Sequence, residues 1–304
     1  MRILVTGASG LLGVNVALVA ARSHEVYGVV HQHPVETDAF KVIKADLLQN
    51  KLLDDVLERS QPDWIIHCAA LADLDACEEN PQLAKRLNTR LPKVLAEKAR
   101  NQGARLIHVS TDAVFDGKRG NYHEDSKTQP LSYYGITKLE GEHAVRDILP
   151  SAVIVRLNLF GWSLTGERSL AEFFFNNLAA GRQILGFQDV YFTPLLANDL
   201  ARVFLIMLEN DLNGLYHLGS YEKISKYDFG LELARRFGYD PKLIQPVEIK
   251  EVSQKATRGK DLSLNNQKIN QRLPGVIPGL STSLDHFYTL YQQGYPQKIR
   301  DLAG

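Results

Sequence analysis

Apolar residues recur along this chain with two alternating periods. The runs RILVT, EVYGVV, KVIKA, DWIIHCAA, ARLIHVS and AVIVRLN are short and rich in β-branched residues, and they predict strands. Between them, apolar positions repeat at three- and four-residue spacing. Residues 11–22 carry Leu11, Leu12, Val14, Val16, Leu18 and Val19; residues 49–60 carry Leu52, Leu53, Val56 and Leu57; residues 81–101 carry Leu83, Leu87, Leu91, Val94 and Leu95. Such spacing gathers the apolar side chains on one helix face. Strand and helix in alternation predict βαβ units, and so an α/β fold: a Rossmann-like, doubly wound parallel sheet with helices on both faces.

After residue 158 the rhythm changes. SLAEFFFNNLAAGR predicts a helix ending at Gly181, DVYFTPLL a strand, and NDLARVFLIMLEN a helix capped by Asn198. GLYHLGS predicts a short strand. SKYDFGLELARRFG predicts a helix with Ser225 as its cap and Gly238 past its end, and STSLDHFYTLYQQGY a last amphipathic helix. Residues 240–280, rich in Pro, Asn, Gln and Lys, show no clear period. No repeat, low-complexity run or flexible linker divides the chain, and the strand YFTPLL is expected to return to the main sheet. The division expected is a dinucleotide-binding domain over residues 1–160 plus about 188–218, and a smaller interleaved C-terminal α/β substrate domain over about 161–187 and 219–304.

Composition narrows the function classes. Of 304 residues 44% are hydrophobic and 23% charged, with Lys plus Arg and Asp plus Glu equal at 35 each. A chain without net charge offers no basic footprint for nucleic acid or an anionic membrane. No run approaches the ~20 apolar residues of a membrane span. MRILVTGASG enters a strand at once and does not read as a leader peptide. Two cysteines, Cys68 and Cys77, do not indicate a disulfide scaffold, and Cys68 inside WIIHCAA reads as a small buried hydrophobe. A soluble cytoplasmic protein acting on a small molecule is expected, with no metal; a homodimer is compatible with this.

The first strand runs into TGASGLLG, which spaces Gly7, Gly10 and Gly13 three apart at a strand–turn–helix junction. Gly7 permits the tight turn, Gly10 lets the backbone approach a pyrophosphate, and Gly13 lets the helix pack close to the strand. The helix opened by Leu11 and Leu12 would turn free N–H groups toward the phosphates. A purely structural turn is the competing reading. An acid often ends the second strand of NAD-binding units; here His31 stands there, followed by Gln32 and His33. Nothing repels a 2′-phosphate, so the cofactor expected is NADP or NAD, with NADP slightly favoured. Asp46, beside Leu47 at the end of the third strand, is placed to accept from an adenine amino group or to cap a helix.

PLSYYGITKLEGE sets Tyr133 beside Tyr134, with Lys138 four residues beyond the second. Four residues along a helix is one face, so Tyr134 pairs with Lys138 and Tyr133 with Thr137. A tyrosine titrates near pH ~10, and a neighbouring ammonium would favour its phenolate. Tyr134 is therefore the candidate acid or base. LIHVSTDAVFDG ends its strand with two hydroxyls, Ser110 and Thr111, where ligands bind in parallel sheets.

These residues resemble the extended short-chain dehydrogenase/reductase superfamily, and within it the dTDP-4-dehydrorhamnose reductase-like family, which also contains the regulatory β subunit of methionine adenosyltransferase. GASGLLG, HCAALADLDACEENPQLAKRLN, STDAVFDG, YHEDSKTQPLSYYGITKLEGEHAV and VRLNLFGW carry the likeness over residues 1–162, and FTPLLANDLA extends it to about residue 220. The resemblance implies that Thr111 is the catalytic hydroxyl, Tyr134 the proton donor and Lys138 the holder of the nicotinamide ribose. It implies that Cys68, Ala69, Ala70 and Leu71 line the cofactor, that Asp75 and Glu78 form an acidic pair, and that Asn88 steadies the site. It further implies an NAD(P)-dependent reductase of a nucleotide-linked 4-keto-deoxy sugar. An epimerase or dehydratase of the superfamily and a non-catalytic regulatory subunit are the alternatives; dehydratases follow the hydroxyl with Asp-Glu, whereas Asp112-Ala113 follows Thr111. The chain departs from the reductases on the substrate side, at Ala72, at NLFGW and at Arg258-Gly259, where the family favours Arg-Pro.

Overall fold

A computed structural model describes residues 1–252 and 256–303. The chain runs β1 (Arg2–Thr6), α1 (Leu11–Ala20), β2 (Glu25–Val30), β3 (Lys41–Lys44), α2 (Asn50–Ser60), β4 (Trp64–His67), α3 (Leu74–Glu79), α4 (Pro81–Lys85), a π-turn (Arg86–Arg90), α5 (Leu91–Gln102), β5 (Arg105–Thr111), α6 (Tyr133–Ile148) and β6 (Val153–Leu157). It continues with β7 (Leu159–Phe160), α7 (Leu170–Ala179), β8 (Ile184–Phe187), β9 (Tyr191–Phe192), β10 (Leu195–Leu196), α8 (Ala197–Glu209), β11 (Gly214–Leu218), β12 (Ile224–Ser225), α9 (Lys226–Phe237), β13 (Ile244–Val247), α10 (Gln267–Arg272), α11 (Leu280–Gln292) and α12 (Tyr295–Arg300).

Seven strands form the main sheet in the order β11-β6-β5-β4-β1-β2-β3, every pairing parallel. The order reverses at β1, so the strand-end crevice lies beside the glycine loop, where such sheets bind ligands. Both faces are covered. One core joins Val5, Ile66 and Val155 of the sheet to Val14, Phe204 and Phe287 of α1, α8 and α11. The other joins Leu4, Ile65 and Ile154 to Leu53, Leu95 and Val145 of α2, α5 and α6. Among the described residues no helix is long and apolar enough to cross a membrane.

Three expectations are corrected. YFTPLL does not return to the main sheet: β9 pairs antiparallel with β12, and β10 pairs with β7. Pro194 between them lacks an N–H and interrupts the run. GLYHL joins instead, as the edge strand β11 beside β6. Asn198 is not the cap of α8, whose N-cap is Leu196; it lies inside the first turn and donates to the Tyr295 hydroxyl at 3.3 Å. The periodic segment 81–101 is not one helix but is interrupted by the π-turn. Ser225 does cap α9, accepting from the Asp228 N–H, and Gly238 ends it with φ of +70°.

Candidate active site

The glycine loop is shaped by contacts no side chain would tolerate. Gly7 has φ of +69°, and a Cβ there would stand 2.8 Å from the Ala69 backbone. A Cβ on Gly13 would meet the Gly7 carbonyl oxygen at 2.1 Å. Gly10 donates its N–H to that oxygen at 2.8 Å, and a Cβ there would stand 3.2 Å from the same oxygen, a tight contact but far less severe than at Gly13. Gly10 is the N-cap of α1 and supplies no side-chain cap, so the first-turn amides are left for a ligand.

From this loop a cavity of about 770 Å³ extends along the strand ends. Gly10, Leu11, Leu12, Gly13, Cys68 and Ala70 line one end, and Thr111, Tyr134 and Lys138 the middle. Cys68 is thus half-buried in the cavity wall instead of sealed in the core.

The remaining cofactor candidates, His31, Asp46, Leu47, Ala69, Leu71 and Asn88, are not among the residues that line the cavity. Ala69 donates its N–H to Thr6 Oγ1 at 3.3 Å. Leu71 is gripped by Asn88, which accepts from its N–H at 2.9 Å, donates to its carbonyl at 3.0 Å, and donates to Thr137 Oγ1 at 3.1 Å. Asn88 is buried and sits in the π-turn, so it clamps the β4 exit loop to α6. Asp46 accepts from the Leu48 N–H at 3.0 Å and the Gln49 amide at 3.2 Å, closing the turn before α2 without capping it. Leu47 is buried and His31 is exposed; against burial, the hydrogen bonds from Leu48 and Gln49 hold the Asp46 carboxyl below its ordinary value.

Helix α6 is held against the end of β5. Ser132 accepts from the Gly135 N–H at 3.2 Å and Glu78 from the Tyr133 N–H at 2.7 Å. A Cβ on Gly135 would be 2.3 Å from the Ala113 carbonyl oxygen, which accounts for glycine after Tyr134. The two strand-end hydroxyls part company. Ser110 turns beneath the helix and donates to Glu142. Thr111 accepts from the Ala113 N–H and donates to Asp112, each at 3.1 Å, and lines the same cavity as Tyr134.

The electrostatics differ from the expectation in one respect. Burial raises the Tyr134 phenol above its ordinary value. Lys138 turns its Nζ to the Val109 carbonyl, donating to it at 2.6 Å. Burial lowers Lys138 to about 8. The phenol is therefore protonated, as a proton donor must be.

Of the other wall residues, Asp112, Asn158 and Arg258 stand in stretches already singled out by the resemblance, and Lys226 does not. Asp112, also held by Asn158 Nδ2 at 2.8 Å, is raised by burial to about 6. Lys226 and Arg258 line the far end. Asp112 follows Thr111 and Asn158 follows β6, a positional signal available in the sequence; Lys226 opens an ordinary amphipathic helix and gave none. The loop bearing Arg258 docks through Gly259, whose Cα would lie 2.4 Å from a Cβ on Gly117, and through Asp75, which accepts from the Ala256 N–H at 3.1 Å.

Comparison with known proteins agrees with this geometry. The family model described as RmlD substrate binding domain matches residues 1–293. The chain is 33% identical over 290 residues to the probable low-salt glycan biosynthesis reductase Agl14 of Haloferax volcanii, spanning 93% of this chain and 96% of that one. It is 30% identical over 275 residues to methionine adenosyltransferase 2 subunit beta of Danio rerio, spanning 88% and 84%. A crystal structure of a dTDP-4-dehydrorhamnose reductase from Clostridium acetobutylicum superposes with a TM-score of 0.84 at 30% identity, covering 96% of this chain and 100% of that one.

Proposed function

The chain belongs to the RmlD substrate binding domain family of NAD(P)-dependent oxidoreductases, and from that premise we propose that it reduces the ketone of a nucleotide-linked 4-keto-deoxy sugar. One observation carries the reading: the glycine loop, Thr111, Tyr134 and Lys138 all open into one cavity. The cofactor, when bound, supplies a hydride to the carbonyl carbon. The cradle between Gly7, Gly10 and Gly13 fits its diphosphate, since the turn leaves backbone amides free and side chains absent. Tyr134 gives its proton to the developing alkoxide, Thr111 holds that oxygen by a hydrogen bond, and Lys138 holds a ribose hydroxyl. NADPH is preferred, because no acid follows β2 and two basic groups, His31 and Arg86, lie near Asp46. The same reading assigns residues 1–160 with about 188–218 to the cofactor, and about 161–187 with 219–304 to the substrate, of which 253–255 and 304 lie outside the described residues. A cytoplasmic homodimer is the setting that goes with it.

The match to a methionine adenosyltransferase subunit favours a second reading, a regulatory subunit that binds cofactor without turnover. A thermal-shift screen of nucleotide sugars with NADPH present, followed by NADPH oxidation with each stabilising sugar, separates the two. Tyr134→Phe is expected to cut turnover at least ~100-fold with cofactor affinity nearly unchanged. Tyr133→Phe is expected to do much less, because its backbone, not its phenol, serves the site through Glu78 and Thr137. Equal losses in the two variants would refute the assignment of the acid. Cofactor binding with no sugar ever reduced would favour the regulatory reading.

A further inference from the structure

Tyr134, Lys138 and Glu142 are four residues apart and share one face of α6. The first two meet the cavity; the third ends in a closed polar cluster. Glu142 is 3% exposed and Arg156 of β6 is 4% exposed. Arg156 grips the carboxylate with Nε at 3.0 and 3.1 Å and Nη2 at 2.7 Å. Ser110, the residue before Thr111, donates to the same carboxylate. Arg156 also lies 5.1 Å over the Phe115 ring, and its Nη1 is 3.5 Å from His217 Nε2. His217 is fixed in turn by the Tyr122 carbonyl and by Glu124, which accepts its N–H. Burying an ion pair costs desolvation that its attraction hardly offsets, so an apolar pair would serve stability as well. The pair must be explained by what it touches.

We propose that Glu142 and Arg156 are positioning residues: they tie the β5 end that carries Thr111 to the α6 face that carries Tyr134 and Lys138, and the Glu142 charge keeps Lys138 an ammonium where it meets the cofactor. This rests on the reading of Lys138 as the ribose-binding lysine.

The groups facing Lys138 support it. They are Tyr134 and Glu142 on α6, His67 on β4, Cys68 just beyond it, His108 on β5 and Cys77 on α3. Burial pushes Cys68 up to about 12 and Cys77 up to about 11, so both are neutral thiols. It pushes His67 down to about 3 and His108 well below its ordinary value, so both are neutral imidazoles. Tyr134 is a neutral phenol. Glu142, ion-paired with Arg156, supplies the negative charge that opposes the burial that lowers Lys138 to about 8. The ammonium is the main form below that value and is lost as pH rises through it.

The test needs no sugar substrate. NADPH affinity is measured by fluorescence from about pH 7 to about pH 10, with circular dichroism checking the fold. Wild-type binding is expected to weaken as pH rises through about 8. In Glu142→Gln the weakening is expected to begin about one unit lower, so that the variant binds about twofold less tightly at pH ~7 and about fivefold less tightly at pH ~8. The double variant Glu142→Gln/Arg156→Met avoids a lone buried guanidinium and, because it removes both charges of the pair, should show a smaller downward move. A folded variant, single or double, whose pH dependence matches wild type overturns the proposal. Wild type that fails to bind NADPH overturns the cofactor reading itself, and the proposal with it.

Discussion

The two ends of the cavity are built by opposite means. The cofactor end comes from consecutive strand–helix units, and its walls are backbone: Gly7 against Ala69, Gly13 against Gly7. The substrate end is gathered from segments far apart in the chain, including Asp112, Asn158, Tyr191, Lys226 and Arg258. It rests on two-residue pairings such as β9 with β12 and on the docking of Gly259 against Gly117. Backbone against backbone leaves no freedom for a side chain, whereas a wall of side chains on short pairings can be altered one residue at a time. The rigid end suits a cofactor shared by many reductases, and the assembled end suits a substrate that differs among them.

The largest expected effect tests the rigid end. Gly13→Val forces a side chain into the Gly7 carbonyl, where neither backbone can yield, and should lower the melting temperature sharply and abolish cofactor binding. Gly10→Val meets the Gly7 carbonyl oxygen at 3.2 Å, a tight contact that asks for a small shift, so it should melt below wild type but well above Gly13→Val, and bind NADPH at least ~100-fold more weakly. Thermal melts beside fluorescence titrations decide this; undiminished affinity in Gly10→Val would mean that the phosphates lie elsewhere.

A smaller effect is expected at the assembled end. Gly117→Ala adds a Cβ at φ of +66°, 2.4 Å from Gly259 Cα, and should loosen the loop bearing Arg258. KM for the sugar nucleotide should rise by about tenfold, ~1.4 kcal/mol, while NADPH affinity stays within about twofold. Parallel loss of both would show that the two ends are one mechanical unit.

The smallest effect is a matter of pH. Asp112 is raised from 3.8 to about 6, so its contribution to stability is complete below about 4 and is lost as pH rises through about 6. Asp112→Asn should therefore gain on wild type by on the order of 1 kcal/mol between about pH 4 and pH 7. Melting curves of the two proteins across that range would show it, and parallel curves would mean that the carboxylate is not held anionic against burial.

Much of the cofactor end was legible beforehand because its rules are local. The alternating periods located β1 to β6, the Gly7-Gly10-Gly13 spacing located the cradle, and four-residue spacing singled out Tyr134 with Lys138 over Tyr133 with Thr137. The caps Ser225 and Gly238 were legible for the same reason, since each acts on residues within one turn. The substrate end was not, because a strand propensity does not name its partner: YFTPLL and GLYHL are both apolar and short, yet only the second found the main sheet.

The sequence by itself determined which segments become strands or helices, where the backbone must be glycine, and which tyrosine shares a face with the lysine. These follow from dihedral limits and helical period, which depend on neighbours along the chain. Only the tertiary structure decided that Ser110 serves Glu142 while Thr111 lines the cavity with Tyr134, that Pro194 divides YFTPLL between two partners, and that Asp112 and Lys138 titrate far from their ordinary values. Those outcomes depend on burial and on charges brought together from separate elements. Desolvation and Coulomb energy are set by distance in space, which the order of residues does not contain.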